Sequence, residues 1–207
     1  MRDLTHVADI GLFGQFLRLT ALRTAQVLNA HDLARDCGSN PVTISRWISV
    51  LEAGFLIRRL PPFFSNRAKR LVKAPKVYFA DSGLAAFLCG MHSAVALEGH
   101  ALRGAIAETY ACQNLAAMLS AHAPEANLLH YRTHSGEEVD FVVEAGSSVV
   151  AIEMKASSRV DARDLKGLET LVRGDSRCKV GLVLYTGAEV KNLGGNIWAI
   201  PLAVGLS

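Results

Sequence analysis

The chain has 207 residues, a formal net charge of +3 and a hydrophobic fraction of 50%. This size suits one large domain or two small ones, and the hydrophobic content supports a packed core and argues against wholesale disorder. The apolar runs are too short to span a bilayer and no signal peptide is recognisable, so we expect a cytoplasmic protein without membrane contact.

The charge is distributed unevenly along the chain. Residues 1–95 hold 12 Lys and Arg against 6 Asp and Glu, whereas residues 96–207 hold 10 against 13. This change of sign, together with a small, mixed stretch around residues 90–100, predicts two domains, 1–95 and 96–207. The four cysteines form no CxxC pair and the seven histidines show no ligand spacing, so Asp and Glu are the expected ligands of any metal.

The first half of the chain predicts four helices and two strands. Apolar residues recur at helical spacing, and Ser39-Asn40-Pro41 is a strong helix start because a capping residue precedes Pro at the first helical position. The predicted elements are helices at 9–29, 31–37 and 41–53, strands at 55–60 and 76–80, and one more helix at 84–89. The order helix, helix, helix, strand, strand is that of a winged helix-turn-helix.

The second half alternates between helical and strand patterns. Its predicted elements are a helix at 102–121, strands at 128–133, 139–144 and 149–155, a helix at 161–172, and strands at 180–185 and 197–202. The apolar strand at 180–185 is typical of a buried central strand. This order predicts an α/β sandwich around a mixed sheet, so the whole chain is expected to be α+β.

Two of these strands form a predicted hairpin that carries charges on one face. Side chains alternate along a strand, so Asp140, Glu153 and Lys155 share a face while the other face is entirely apolar and must pack on a core. If Gly146 and Ser147 form the turn, Asp140 lies directly opposite Glu153. Like charges so placed are destabilising, and a divalent cation is a physical reason for them.

These residues suit metal-dependent phosphodiester hydrolysis. Carboxylates are preferred ligands of Mg²⁺, with Mn²⁺ as an alternative, and the metal can polarise a phosphoryl oxygen and activate water. Lys155 can stabilise the charge that develops on the phosphate. Glu108, an acid on the apolar face of its helix, is expected to need a partner and could reach the same site.

Glu108, Val139-Asp140-Phe141 and Ile152-Glu153-Met154-Lys155 resemble the PD-(D/E)XK nuclease pattern. The resemblance implies a restriction-endonuclease-like fold, metal binding by Asp140, Glu153 and Glu108, and a catalytic role for Lys155 beside these three acids. The family's Pro before Asp is replaced here by Val139. The alternative is a degenerate nuclease fold that is kept as a scaffold, with Lys155 salt-bridged to Glu153.

Basic residues are concentrated around the predicted wing and suit phosphate contacts to DNA. Phe63 and Phe64 lie among them, and in the alternative view the segment is a solvated loop whose phenylalanines pack inward. The recognition-like helix offers a single arginine and therefore little base readout, so backbone contact or packing against a protein partner is favoured. The candidate nucleic-acid-binding residues are Arg46, Arg58, Arg59, Arg67, Lys69, Arg70, Lys73 and Lys76.

Three stretches resemble the C-terminal uncharacterised region of prokaryotic AAA-type ATPases, in which a winged helix precedes a nuclease-like domain. They are 29–60, 66–84 with its Lys73-Ala74-Pro75-Lys76-Val77-Tyr78 run, and 138–155. The resemblance implies an ATPase domain as partner, although the chain has no GxxxxGK[ST] loop. We therefore expect this chain to be a module of such a system.

These patterns favour a DNA-associated, Mg²⁺-dependent nuclease-like protein. The first alternative is a non-catalytic module that binds DNA or a protein through a degenerate nuclease fold. The second is a simple winged-helix regulator, which leaves the second domain without a role.

Overall fold

The computed structural model describes residues 10–64, 73–133 and 135–207. Helices are combined with a three-stranded and a six-stranded sheet, so the fold is of the mixed α and β class. The chain packs as two compact units. The first comprises the described parts of residues 1–59 and 74–109, and the second those of 60–73 and 110–207. The division between residues 95 and 96 stays a prediction.

The first unit contains short helices and a small sheet. Its strands lie in the order β1-β3-β2, and β1 pairs antiparallel with β3. The helix α6 supplies residues to both units. In chain order the elements are α1 (Ile10–Ala21), β1 (Gln26–Val27), α2 (Ala30–Cys37), α3 (Pro41–Ala53), β2 (Ile57–Leu60), β3 (Lys76–Phe79), α4 (Ser82–Leu88), α5 (Ala94–Glu98) and α6 (Arg103–His122).

Capping residues set the helix limits in this unit. Asn40 begins α3 because its side chain accepts a hydrogen bond from the backbone N–H of Thr43 at 2.9 Å. Gly38 ends α2 in the left-handed region, with φ of 63°, which favours glycine. The cap at Asn40 confirms the predicted start of α3.

Phe16 and Trp47 pack together in the core of the unit, with ring centroids 5.2 Å apart.

The predicted helix at 9–29 is wrong beyond Ala21. The chain turns there, Ala25 takes a φ of 63°, and its backbone N–H donates to the carbonyl of Val77 at 2.8 Å. Gln26 and Val27 then form β1. Val27 fits a helical pattern by spacing, but it pairs with Lys76 of β3, which lies far along the sequence.

The second unit is built on one mixed sheet, with strands in the order β4-β5-β6-β7-β9-β8. β4, β5 and β6 are antiparallel neighbours, β6, β7 and β9 are parallel neighbours, and β8 returns antiparallel to β9. The elements are β4 (Asn127–Arg132), β5 (Glu138–Ala145), β6 (Ser148–Lys155), a 3₁₀ turn (Ala162–Leu165), α7 (Lys166–Gly174), β7 (Cys178–Tyr185), β8 (Lys191–Gly194), β9 (Ile197–Pro201) and α8 (Leu202–Gly205).

The hairpin of β5 and β6 has the register that the sequence predicts. Ala145 lies opposite Ser148, and the pairing continues to Phe141 opposite Ile152. Gly146 turns the chain with a φ of 60°.

The outer edge of β4 carries a further contact, because His130 donates its backbone N–H to the carbonyl of Pro61 at 3.0 Å.

Both faces of this hairpin are covered. Phe141 and Ile152 are buried on the apolar face, as expected. The other face is also buried along its middle, where Val142 and Ala151 pack with Leu168 of α7 in the core of the unit. Its charged side chains are therefore confined to the ends of the strands.

None of the helices in the described parts of the chain is long and apolar enough to cross a membrane.

Candidate functional site

The site lies where β5 and β6 separate. The paired register ends at Phe141 and Ile152, and one residue further on the side chains bridge the two strands. Oδ2 of Asp140 accepts a hydrogen bond from the backbone N–H of Met154 at 2.9 Å. The backbone N–H of Asp140 donates to Oε2 of Glu153 at 3.4 Å. The two carboxylates are thus held next to each other from neighbouring strands.

Lys155 lies beside these carboxylates. Its Nζ atom is 3.0 Å from Oε1 of Glu153 and 3.4 Å from Oδ1 of Asp164. Asp164 belongs to the 3₁₀ turn, and its other oxygen accepts the backbone N–H of Asp161 at 2.9 Å in a capping box. Asp164 is a site residue that the sequence interpretation missed, although an Asp three residues after a capping Asp marks a helix start.

The electrostatics of the cluster follow from burial and from its crowded charges. Burial raises the pKa of Glu153 to about 8, the charge of Asp140 adds to the rise, and Lys155 opposes it. Burial lowers the pKa of Lys155, but the carboxylates of Glu153 and Asp164 outweigh this effect, and the pKa is raised overall. Lys155 therefore stays a cation at neutral pH, while Glu153 is poised to hold or release a proton.

A glycine permits the close approach of α7 to the sheet. A Cβ atom at Gly167 would lie 1.8 Å from the backbone oxygen of Glu138, so any other residue there would have to displace the helix or the strand. This contact brings the first turn of α7 against β5. Asp164 reaches Lys155 because of it.

An open cleft of about 500 Å³ runs along this end of the sheet. This volume falls within the range of about 300–1,000 Å³ that is usual for ligand sites. Its walls come from the β4–β5 turn, the end of β6 and the first turn of α7. The lining residues are Ser135, Gly136, Glu137, Glu138, Glu153, Lys155, Arg163, Asp164, Lys166 and Gly167.

The donor set of this cluster limits how it could hold a divalent cation. Among the residues that the structure describes, no group of three or more His, Cys, Asp and Glu side chains is arranged to hold a metal ion. Asp140 and Glu153 nevertheless provide two adjacent, largely buried carboxylates whose mutual repulsion a cation would relieve. Mg²⁺ commonly uses one or two protein carboxylates and keeps several waters, so these two residues fit a hydrated Mg²⁺ or Mn²⁺ ion.

Glu108 is engaged within the first unit. Its Oε1 atom accepts from Nζ of Lys76 at 3.0 Å and from the hydroxyl of Tyr78. The exposed fraction is 5% for the Lys76 side chain and 15% for that of Glu108. Glu108 therefore has the partner that an acid on an apolar helix face requires, and its role as a metal ligand stays a prediction. The burial of Lys76 argues against contact between this lysine and nucleic acid.

The other basic candidates differ in their surroundings. Arg46, Arg58 and Lys73 are exposed, and Arg59 is ion-paired with Glu52. Three further candidates, Arg67, Lys69 and Arg70, lie outside the described residues.

Phe63 and Phe64 were the aromatic residues of the predicted basic wing. Phe63 packs inward in the second unit, where its ring lies 6.4 Å from that of Tyr131, measured between centroids. Phe64 is half-buried. The inward alternative for Phe63 is therefore confirmed.

Two models of uncharacterised domains match the chain. Residues 1–94 match a domain of unknown function, DUF8612, and residues 103–204 match a second, DUF4143. The latter is found in AAA-ATPase-associated proteins.

Similar proteins carry little functional description. Uncharacterized proteins Mb2031c of Mycobacterium bovis and Rv2008c of Mycobacterium tuberculosis are each 31% identical to this chain over 159 residues, covering 72% of this chain and 35% of theirs. The chain thus spans about a third of the length of these relatives. A solved assembly of Thermococcus gammatolerans McrB AAA+ hexamers with bound McrC aligns with 91% of this chain and 71% of its own, at 14% identity and a TM-score of 0.36.

Proposed function

We propose that this protein is a DNA-associated, divalent-metal-dependent nuclease-like module. The observation that carries the proposal is the cluster of Asp140, Glu153 and Lys155 at the edge of an open cleft. Such a cluster combines two hard oxygen ligands with a cation, which is what hydrolysis of a phosphodiester requires. On this proposal the second unit has a restriction-endonuclease-like fold.

Each residue has a distinct role in the proposed site. Asp140 and Glu153 would hold Mg²⁺ or Mn²⁺. When bound, the metal supplies Lewis-acid polarisation of the phosphoryl oxygen and lowers the pKa of a bound water. Lys155 places its ammonium group against the phosphate and stabilises the charge that develops there. Asp164 holds that ammonium group in place from the opposite wall.

The first unit is proposed to bind DNA as a winged helix. Two features support this: α2 and α3 are followed by the strands β2 and β3, and Arg46, Arg58 and Lys73 are exposed on the unit. A short connection between α2 and α3 is typical of helix-turn-helix motifs. Cations on these elements would contact phosphates, which gives affinity without base readout.

An AAA-type ATPase is the proposed protein partner. The support is that DUF4143 occurs in AAA-ATPase-associated proteins and that the chain matches 35% of the length of its curated relatives. On this proposal ATP hydrolysis occurs in a partner domain and the present chain acts on DNA.

The test is cleavage of supercoiled plasmid and of linear DNA in the presence of Mg²⁺ or Mn²⁺. Cleavage by the wild-type protein should be lost in Asp140→Ala and in Lys155→Ala. Glu125→Gln is a matched control because Glu125 is exposed and does not line the cleft. Cleavage that survives both site variants would contradict the assignment.

A second function is favoured by one observation. Lys155 is ion-paired on two sides, with Glu153 and with Asp164, which is also the arrangement expected of a structural network in a non-catalytic module. In that case the protein would bind DNA or the ATPase partner without cutting. Titration calorimetry separates the two, since a scaffold would bind DNA but give no heat of Mg²⁺ or Mn²⁺ binding that depends on Asp140.

A further inference from the structure

We infer that Arg163 and Lys166 form a phosphate-binding wall of the cleft, which holds the backbone of a nucleic acid beside Lys155. The inference rests on the proposed function of the same cleft and adds the residues that would bind its substrate. No sequence motif singled out either residue.

Both cations line the cleft without being neutralised. Arg163 and Lys166 are exposed, and neither forms an ion pair with a carboxylate in the described parts of the chain. The other cation of the cleft, Lys155, has two carboxylate partners. Arg163 and Lys166 are thus the cleft cations whose charge is available to a ligand.

Their spacing places them on one side of the helix start. They are three residues apart in the 3₁₀ turn and the first turn of α7, and residues at this spacing lie nearly above one another. Gly167 holds this turn against Glu138, as described above. The two cations are therefore attached to a fixed wall of the cleft rather than to a loop.

The chemistry of these side chains selects phosphodiesters. A guanidinium binds two phosphate oxygens at once, and an ammonium acts as a compact positive charge. Glu137 lines the wall of the cleft that the β4–β5 turn forms, and its carboxylate would repel a phosphate there. A polyanionic strand is therefore expected to follow the α7 wall, which brings its phosphates past Lys155.

The experiment measures binding of the full chain to a labelled DNA duplex by fluorescence anisotropy. EDTA is present so that no cleavage occurs, and the salt concentration is varied. The test variant carries Arg163→Gln and Lys166→Gln, and the control carries Arg173→Gln and Lys179→Gln. The control removes the same charge from exposed positions of the same unit that do not line the cleft.

The expected result is weaker binding by the test variant than by the control, with a Kd that is several-fold higher. The slope of log K against log salt should fall by about one for each lost phosphate contact, hence by about two. Equal slopes for the two variants, with Tm unchanged in both, would overturn the inference. Wild-type protein that binds no nucleic acid would overturn it as well.

A parallel arm uses RNA of the same sequence and separates the two sources of phosphodiester. A cleavage assay on the same samples separates this inference from the proposed function. If the wild-type protein binds DNA through Arg163 and Lys166 but never cleaves it, the nuclease proposal fails and the binding wall stands. If the wild-type protein cleaves DNA while the test variant binds DNA like the control, the binding wall is contradicted and the nuclease proposal stands.

Discussion

The carboxylate of Asp140 is tied to the backbone of Met154, whose N–H donates to Oδ2 at 2.9 Å. Asp140 therefore completes the contact between β5 and β6 at the point where the paired register has ended. The Asp140 carboxylate thus has a structural contact in addition to its proposed role as a metal ligand. Different substitutions can remove one of these two roles and keep the other. This makes the choice of substitution at Asp140 informative.

Asp140→Ala should lower the free energy of unfolding by about 1–3 kcal/mol, because a buried backbone N–H loses its partner. Asp140→Asn keeps an oxygen acceptor and should stay close to wild type in stability while losing metal-dependent cleavage. Urea denaturation of the three proteins measures the difference. Equal stability of the two variants would show that the Met154 contact contributes nothing.

Gly167→Ala should destabilise the second unit by about 1–3 kcal/mol or more, the usual cost of overpacking, because its Cβ would meet the backbone oxygen of Glu138. Gly174→Ala is the matched control. It lies at the end of the same helix and its Cβ would meet no atom within 4 Å. The control should be neutral or slightly stabilising. Thermal unfolding of both variants is the measurement.

Stability should depend on pH through Glu153. Its pKa is raised in the folded protein, so the folded state holds the proton more tightly than the unfolded chain does. The stabilising contribution is therefore present below the ordinary pKa of a glutamate and is lost as the pH rises through the folded value of about 8. Glu153→Gln cannot titrate, and its unfolding free energy should change less over this range. Denaturant titrations between about pH 3.5 and pH 9, roughly one unit beyond each end of this window, compare the two proteins.

The opposite end of β5 offers a fourth prediction. The side chain of Glu144 is 2% exposed, and its Oε1 atom lies 3.0 Å from Nη1 of Arg177. The same guanidinium donates to both carboxylate oxygens of Asp175. Arg177→Met should lower the unfolding free energy by about 3 kcal/mol, because the buried carboxylate of Glu144 loses its ion pair with Arg177. Adding Glu144→Gln should recover part of the loss, which a double-mutant cycle measures. A strictly additive double variant would mean that the pair is not coupled.

The sequence predicted those features of the fold that depend on near neighbours. Alternation along β5 and β6 and the short turn at Gly146 were sufficient for the register that brings Asp140 beside Glu153. The Asn40-Pro41 pair was sufficient for the start of α3. In each case the determining contacts lie within a few residues of one another.

Features that depend on distant contacts could not be predicted in this way. β1 forms because Ala25 and its neighbours meet Val77, and the burial of Lys76 depends on Glu108, which lies 32 residues away. A run of basic residues shows charge but not burial, so Lys76 looked like its exposed neighbours. Asp164 joins the site only because Gly167 lets a helix approach a strand.

The short elements α5, β8 and α8 were also missed. β8 has the sequence Lys-Asn-Leu-Gly, which shows neither alternation nor enrichment in β-branched residues. It forms because β9 presents an unpaired edge to it. Its existence is decided by the neighbouring strand and not by its own residues.

The contact between His130 and Pro61 has a practical consequence for dissecting the protein. An uncovered outer strand is a template for edge-to-edge association between molecules. The backbone of Pro61, Pro62 and Phe63 occupies part of the outer edge of β4, although these residues precede β4 by more than 60 positions. A fragment that starts at Tyr110 would retain every strand of the six-stranded sheet and still lack this cover. We expect such a fragment to self-associate more readily than the whole chain, which light scattering would detect.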